Sequence, residues 1–300
     1  MNRVAQHPLH GFLGALAAVG ILSIMDAVMK ALVIALGIYA VSIWRSLFNL
    51  ALTAGLYLPR RAPWPARGTL RLHVVRGMVV TVMAALFFWA IGRVPLAQAI
   101  ALTFIAPLIA MLLASAFLHE TIGPRSIVGA AAAFGGVLVI VLGQAQAELG
   151  SEVLLGTLAI LGSALCYAVN IVLMRRQSQA AEPLEINFFQ SLTVAGLWSA
   201  VVPFAGLPDW PDEWWPWVLA AAVMSTSGGL IFSWAYARAE ASYLAVTEYS
   251  GFLWAAALGW IVFQEAVSLY TLAGACLIVG GCIVAARAKV KVPGEVEVAT

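Results

Sequence analysis

Glu248 lies about seven residues inside an apolar run, roughly 10 Å deep if that run is a helix rising 1.5 Å per residue. A carboxylate at such depth in a bilayer costs a few kcal/mol, faces protein or water, and marks a functional site by default. It suits proton exchange or pairing with a substrate ammonium; the structural alternative is an ion pair within the bundle, with Arg45 as partner. Arg45, beside Trp44, is mid-run as well. It can anchor a substrate carboxylate or neutralise a buried one, and the second reading is preferred. Arg76 falls about four residues from the end of its run and can snorkel to lipid phosphates. Asp26 and Lys30 are four apart, the spacing of an ion pair on one helix face, with outer gating as the second reading. Glu120 and Glu265 each stand between two runs, placed to cap the helix that follows.

Other chemistry lacks its residues. His7, His10, His73 and His119 are scattered, with no Cys or carboxylate at ligand spacing, so neither a metal nor another cofactor is expected. Cys166, Cys276 and Cys282 all lie in apolar runs, which argues against a disulfide framework. No G-x-x-x-x-G-K-[ST] loop is present, so ATP cannot drive the chain without another subunit. An enzyme acting on lipid-linked substrates needs acids, His or a nucleophile clustered at one membrane face, and no such cluster is visible. That enzyme, and a channel-like protein, are kept as alternative readings.

The elements that must hold these charges are transmembrane helices. Of 300 residues 63% are hydrophobic and 10% charged, against roughly 25% charged in a soluble domain. This excludes a soluble enzyme, a nucleic-acid binder and a disordered chain. Apolar runs fall at 11–29, 33–58, 72–91, 95–118, 126–143, 153–174, 186–206, 215–237, 241–263 and 268–286. Their lengths suit helices of about 20 residues and exceed β-barrel strands of about ten. The first run lacks a cleavage site and reads as a span, not a signal peptide.

Basic residues set the orientation. With the N-terminus inside, twelve fall in inner segments, and only Lys30 and Arg93 in outer ones. The positive-inside rule then places both termini in the cytoplasm, in the cytoplasmic (inner) membrane. The outer stretch from Asp209 to Trp217 holds four tryptophans and no basic residue, as an interfacial aromatic belt would.

The chain repeats itself. Residues 93–141 slid by 145 positions bring Arg93 onto Arg238, Glu120 onto Glu265, and Gly129, Gly135 and Gly136 onto Gly274, Gly280 and Gly281. A shift of 142 aligns Leu13-Gly14, Leu16-Ala17 and Gly20 with Leu155-Gly156, Leu158-Ala159 and Gly162. Five spans per half is odd, so the halves insert with opposite orientation. The expected fold is therefore an all-α integral membrane protein of ten transmembrane helices in two inverted five-helix repeats. Residues 1–10 form a cytoplasmic N-terminus, 11–143 and 153–286 the repeats, and 287–300 a cytoplasmic tail. Inverted repeats around a central site are the architecture of alternating-access carriers.

Matched helix interruptions in such repeats point to a midplane site. Pro107 interrupts the fourth span and removes a backbone hydrogen bond. Its counterpart is Phe252, preceded by Gly251. The candidate substrate residues are accordingly Gln98 and Thr103 of the fourth span and Glu248 and Tyr249 of the ninth, Thr103 and Glu248 sharing one repeat position. Trp44, Arg45, Trp89, Tyr167, Asn170 and Trp234 join them as cavity lining, though Asn170 also suits gluing helices together and the aromatics suit packing. Pro107, Gly228, Gly229 and Gly251 are the candidate hinges; Gly228-Gly229 is read as a break in span eight, or as a site of close packing. Ala131/Gly135 and Gly11, Gly14 and Ala18 read as packing faces.

The residues from Pro95-Leu96-Ala97 through Phe104-Ile105-Ala106-Pro107, Leu118-His119-Glu120, Gly129 and Phe134-Gly135-Gly136 carry a resemblance. So do Phe263-Gln264-Glu265, Gly274 and Val279-Gly280-Gly281, with Leu155-Gly156 to Tyr167 as a restarted first helix. Over about 11–286 the chain resembles the EamA-domain branch of the drug/metabolite transporter superfamily. The resemblance implies export or exchange of a small organic metabolite, such as an amino acid, vitamin or nucleoside-like compound, across the cytoplasmic membrane. The expected partners are that substrate, the lipid bilayer, and protons or a counter-substrate; no nucleic acid is expected, and the carrier works as a monomer or homodimer. Asp26 and Lys30 depart from the family's more apolar first helix.

Overall fold

The computed structural model describes residues 8–61, 63–118, 124–146, 151–177, 180–236 and 247–286. The described chain is helical, and five of its helices are long and apolar enough to cross a bilayer. Lipid offers a backbone no hydrogen bonds, so the apolar runs close their own by coiling.

The first helix, Pro8–Tyr57, is interrupted at Gly37 (φ 77°, ψ 158°), which divides it into α1 (8–36) and α2 (38–57). An unbroken helix would hold Asp26 and Arg45 about 28 Å apart. They lie within electrostatic reach of each other, so the chain doubles back at Gly37. The expected break at 30–32 is thus moved, and Lys30 belongs to α1 instead of an outer loop. Only glycine adopts Gly37's dihedrals without strain, which is why the turn sits there and not at the charge.

The remaining helices are α3 (Arg67–Ile91), α4 in two pieces (Leu96–Thr103 and Ala106–Leu118), α5 (Pro124–Gln146) and α6 (Ser151–Gln177). They continue with α7 (Pro183–Ser199), α8 (Trp215–Tyr236), α9 (Ser250–Phe263) and α10 (Leu269–Ala286). α3 starts five residues before the expected boundary. Arg76 is therefore nine residues, or about 14 Å, from its start.

Contacts between connections show which ends coincide. Arg60 Nη1 lies 3.9 Å from Glu182 Oε2, so the connections after α2 and α6 share one end. Arg93 Nε donates to Glu152 Oε2 at 2.8 Å, Lys30 Nζ to Val94 O at 2.8 Å, and Tyr39 OH to Gly206 O at 2.7 Å. Those groups mark the other end.

Helix pairing follows the repeat. α5 packs on α10, α4 on α9 and α2 on α7, each helix meeting its own counterpart. The α3–α6 pair is matched by α8–α1, and α4–α6 by α9–α1. The α5–α10 seam shows this at atomic scale. A Cβ on Gly136 would lie 2.6 Å from Gly274 O, and one on Gly281 would collide with Gly129 O. These two contacts exchange under the 145-residue shift, so a pseudo-two-fold axis runs between them. Small residues let the backbones touch, and van der Waals packing drives helix association in lipid.

Two expected features are corrected here. The seam uses Gly129, Ala133 and Gly136, whereas Ala131 is exposed and Gly135 meets nothing within 4 Å. Gly228-Gly229 does not break its span: α8 runs through both, and a Cβ on Gly228 would reach Leu22 at 2.9 Å. On α1, Gly14 does pack, against the ring of Trp234.

Candidate functional site

Both fourth helices of the repeats are interrupted, three residues before the expected positions. α4 breaks at Phe104–Ile105, where Phe104 N–H and Ile105 N–H turn to Ala101 O and Leu102 O, each three residues back. Pro107 imposes this, since its ring clashes with the carbonyl four residues earlier, that of Thr103. In the second half the turn falls at Tyr249, and Phe252 N–H bonds back to Tyr249 O at 3.2 Å. Phe104 and Tyr249 are repeat counterparts, and their rings meet edge to face, centroids 5.3 Å apart. Cys282 of α10 donates to Phe104 O at 3.4 Å, satisfying a carbonyl at the break. Thr103 Oγ1 bonds within its own helix, to Ile100 O. Gln98 is buried, and its Nε2 has no hydrogen-bond partner among the described residues. Gly251 is helical with ordinary contacts to Val19 and Ile100, so no backbone requirement makes it a hinge.

Beside the break lies a charged cluster. Arg76 does not snorkel: it is 7% exposed, its Nε donates to Asn170 Oδ1 at 2.8 Å and its Nη1 to Gln177 Oε1 at 2.7 Å. Asn170 thereby ties α6 to α3. Tyr167 is within electrostatic reach of both Arg76 and Glu248. Three elements thus bring Arg76, Tyr167, Asn170 and Glu248 to one place.

Arg45 sits in a second cluster. It is 8% exposed, with its guanidinium 5.1 Å from the Phe88 ring centroid and facing Asp26. Turning the Asn49 carboxamide gives its oxygen to Arg45 Nη1 (3.2 Å) and its nitrogen to Thr226 Oγ1 (3.1 Å) and Ala222 O (2.9 Å). Arg45 Nε has no hydrogen-bond partner among the described residues. A buried donor without an acceptor is costly, so Arg45 Nε and Gln98 Nε2 are groups that an oxygen-bearing ligand would satisfy.

Asp26 and Lys30 do not pair with each other. Lys30 is 4% exposed and gives Nζ to Val94 O and to Glu265, across the two halves. Nor does Glu265 cap the helix after it. Ser268 does that, accepting from Thr271 N–H at 3.0 Å, while Glu265 Oε2 accepts from Leu96 N–H at 2.8 Å and caps α4. The end of α9 aims it there: Gln264 takes the left-handed conformation (φ 57°) and Glu265 N–H bonds to Gly259 O. Glu120 lies outside the described residues.

The remaining aromatics are spread out. Trp44 Nε1 donates to Asp209 O at 3.0 Å and its ring meets Trp210, so it holds the Trp-rich connection. Trp89 carries the Arg93 guanidinium 3.9 Å from its centroid at the same end. Trp234 is exposed and lies on Gly14.

Sequence reasoning missed His73, Gln177, Glu185 and Asn49. His73 Nε2 lies 3.1 Å from Glu185 Oε1, a carboxylate 112 positions away, and His73 Nδ1 faces Gln177 Nε2. The available signal was spacing: His73 and Arg76 are three apart and Asn170 and Gln177 seven apart, so each pair shares one helix face.

Comparison with known proteins adds the following. The EamA-like transporter family matches residues 9–142 and again residues 154–287. The pseudopaline exporter CntI of Pseudomonas aeruginosa is 31% identical over 290 residues, covering 93% of this chain and 96% of its own. A riboflavin transporter of Vibrio cholerae serotype O1 is 26% identical over 273 residues, covering 87% of each. A solved crystal structure superposes with a TM-score of 0.59 at 21% identity, covering 92% of this chain and 95% of that one, a likeness of fold alone.

Proposed function

The chain belongs to the EamA-like transporter family, a multi-pass membrane transporter and not an enzyme, and from that premise we propose that it is a secondary carrier for a small organic metabolite. One observation carries the reading: both halves interrupt their fourth helix at the same repeat position, and the interruptions meet at Phe104 and Tyr249. Broken helices at the interface of inverted repeats are where carriers bind substrate, and rocking one half against the other alternates access.

In this reading Glu248, Tyr167, Asn170 and Arg76 form the polar wall of the substrate site. The unsatisfied donors Gln98 Nε2 and Arg45 Nε favour a substrate bearing acceptor oxygens. Export or exchange, driven by a counter-substrate or a proton gradient, fits relatives named as an exporter and a vitamin transporter. The excess of basic residues at the Arg60–Glu182 end supports a cytoplasmic location for it in the inner membrane.

The test is a thermal-shift screen of metabolites on purified protein, followed by counterflow of each hit in proteoliposomes. Saturable counterflow is the expected result. A flux that never saturates and shows no exchange would replace the carrier with a channel.

A further inference from the structure

A run of four side chains, three of them buried, fixes the protonation of one histidine by elimination. Arg76 has donors only, so the Gln177 group facing Arg76 Nη1 must be the amide oxygen. The Gln177 nitrogen then faces His73, and an N–H pointing at His73 Nδ1 requires that nitrogen to carry no proton. His73 is therefore neutral, with its hydrogen on Nε2, where it donates to Glu185 Oε1 at 3.1 Å. Every bond runs one way, from Arg76 through Gln177 and His73 to Glu185. His73 is 0% exposed, its ring stacked on Phe189 at 4.9 Å and 12°, so it cannot turn to water. Glu185 is 17% exposed and stands at the Arg60–Glu182 end.

We propose that His73 is a proton-binding site whose occupation is incompatible with the Arg76–Gln177 hydrogen bond. Adding a proton to Nδ1 converts the imidazole to imidazolium, and Nε2–H stays on Glu185. Gln177 then faces a donor on each side and can accept from only one with its oxygen. Turning the amide to serve His73 presents its NH₂ to Arg76, whose bond breaks. Arg76 keeps Asn170 and is freed toward Tyr167 and Glu248. Proton uptake at His73 is thereby transmitted to the wall of the substrate site, and the ligand class is the proton itself. Among the described residues, the charged and titratable groups around His73 are Glu185 of α7, Arg76 of α3 and, through Glu185, Tyr57 of α2; α6 contributes the neutral Gln177.

The inference rests on the carrier reading only for what the proton drives. Its test needs no substrate, so its failure leaves that reading standing. Protein carrying isotope-labelled histidine and arginine side chains, in lipid nanodiscs, is followed by nitrogen NMR from about pH 8 to about pH 5, where histidine titrates. His73→Gln and Arg76→Lys assign the two signals. If His73→Gln does not fold, slow exchange with water identifies the buried ring.

The expected result is a bare Nδ1 and protonated Nε2 at the start, then Nδ1 protonation together with a shift of the Arg76 signal. Gln177→Glu supplies a carboxylate that accepts from both neighbours. It should raise the proton affinity of His73 at least about tenfold, one pKa unit. Gln177→Leu, which keeps the Arg76 charge, should leave the Arg76 signal indifferent to His73. A wild-type His73 with a proton on Nδ1 at the start would overturn the proposal. So would no titration down to about pH 5, or an Arg76 signal that ignores His73.

Discussion

Phe104 and Tyr249, equivalent residues of the two halves, meet edge to face with ring planes at 90° where both fourth helices break. The contact lies on the pseudo-two-fold axis relating the halves. Edge-to-face pairs contribute about 1 kcal/mol beyond area burial. A double-mutant cycle of Phe104→Leu and Tyr249→Leu, read by unfolding in detergent, should show a coupling of about 1 kcal/mol. Strictly additive losses would mean that the rings are mere neighbours.

Gly136 and Gly135 are adjacent yet should respond oppositely. A side chain at 136 collides with the backbone of Gly274 and with Ile278, whereas position 135 is open. Gly136→Leu should abolish the monodisperse folded peak in size-exclusion chromatography. Gly135→Ala should leave the melting temperature unchanged or raise it slightly, because alanine favours helix by up to about 1 kcal/mol over glycine. Equal effects at both positions would contradict the seam.

Gly37 makes the reversal between α1 and α2 with dihedrals that other residues adopt only under strain. Gly37→Ala should cost about 1–3 kcal/mol, measured as a lowered melting temperature. Gly55, helical with nothing within 4 Å, is the control, and its alanine variant should be as stable as the parent.

Lys30 and Glu265 tie α1 to the α9–α10 connection, and Glu265 also caps α4. Lys30 is buried and Glu265 half-buried, so removing Glu265 leaves the buried ammonium uncompensated, at up to about 3–5 kcal/mol. Glu265→Ala should therefore destabilise strongly. Glu265→Gln, whose amide oxygen still serves either donor, should lose less, and Lys30→Met with Glu265→Gln should recover stability relative to Glu265→Ala. Thermal unfolding of the three variants decides; identical melting temperatures would remove the tie from the structure.

Glu248→Gln should abolish counterflow while leaving expression and melting temperature intact, because the change keeps shape and removes only the charge beside Tyr167. Undiminished transport would demote Glu248 to a structural role.

Composition and periodicity alone established a ten-helix membrane chain in two antiparallel halves. Long apolar runs have no other stable form in lipid, and scarce charges and glycines recurring in register betray duplication. The α5–α10 glycines stood out as repeat markers for that reason, but which of them pack did not: Gly135 read as a packing residue and lies open, while Gly136 makes the contact. Charge partnership was not legible. Lys30 looked like a loop residue and Arg76 like a snorkelling one because a charge in an apolar run reads as an edge. The bonds that bury them come from Glu265, 235 positions from Lys30, and from Gln177, 101 positions from Arg76. A carboxylate or amide across the bundle decides whether a buried charge is tolerated, and only the packing of helices distant in sequence brings it there.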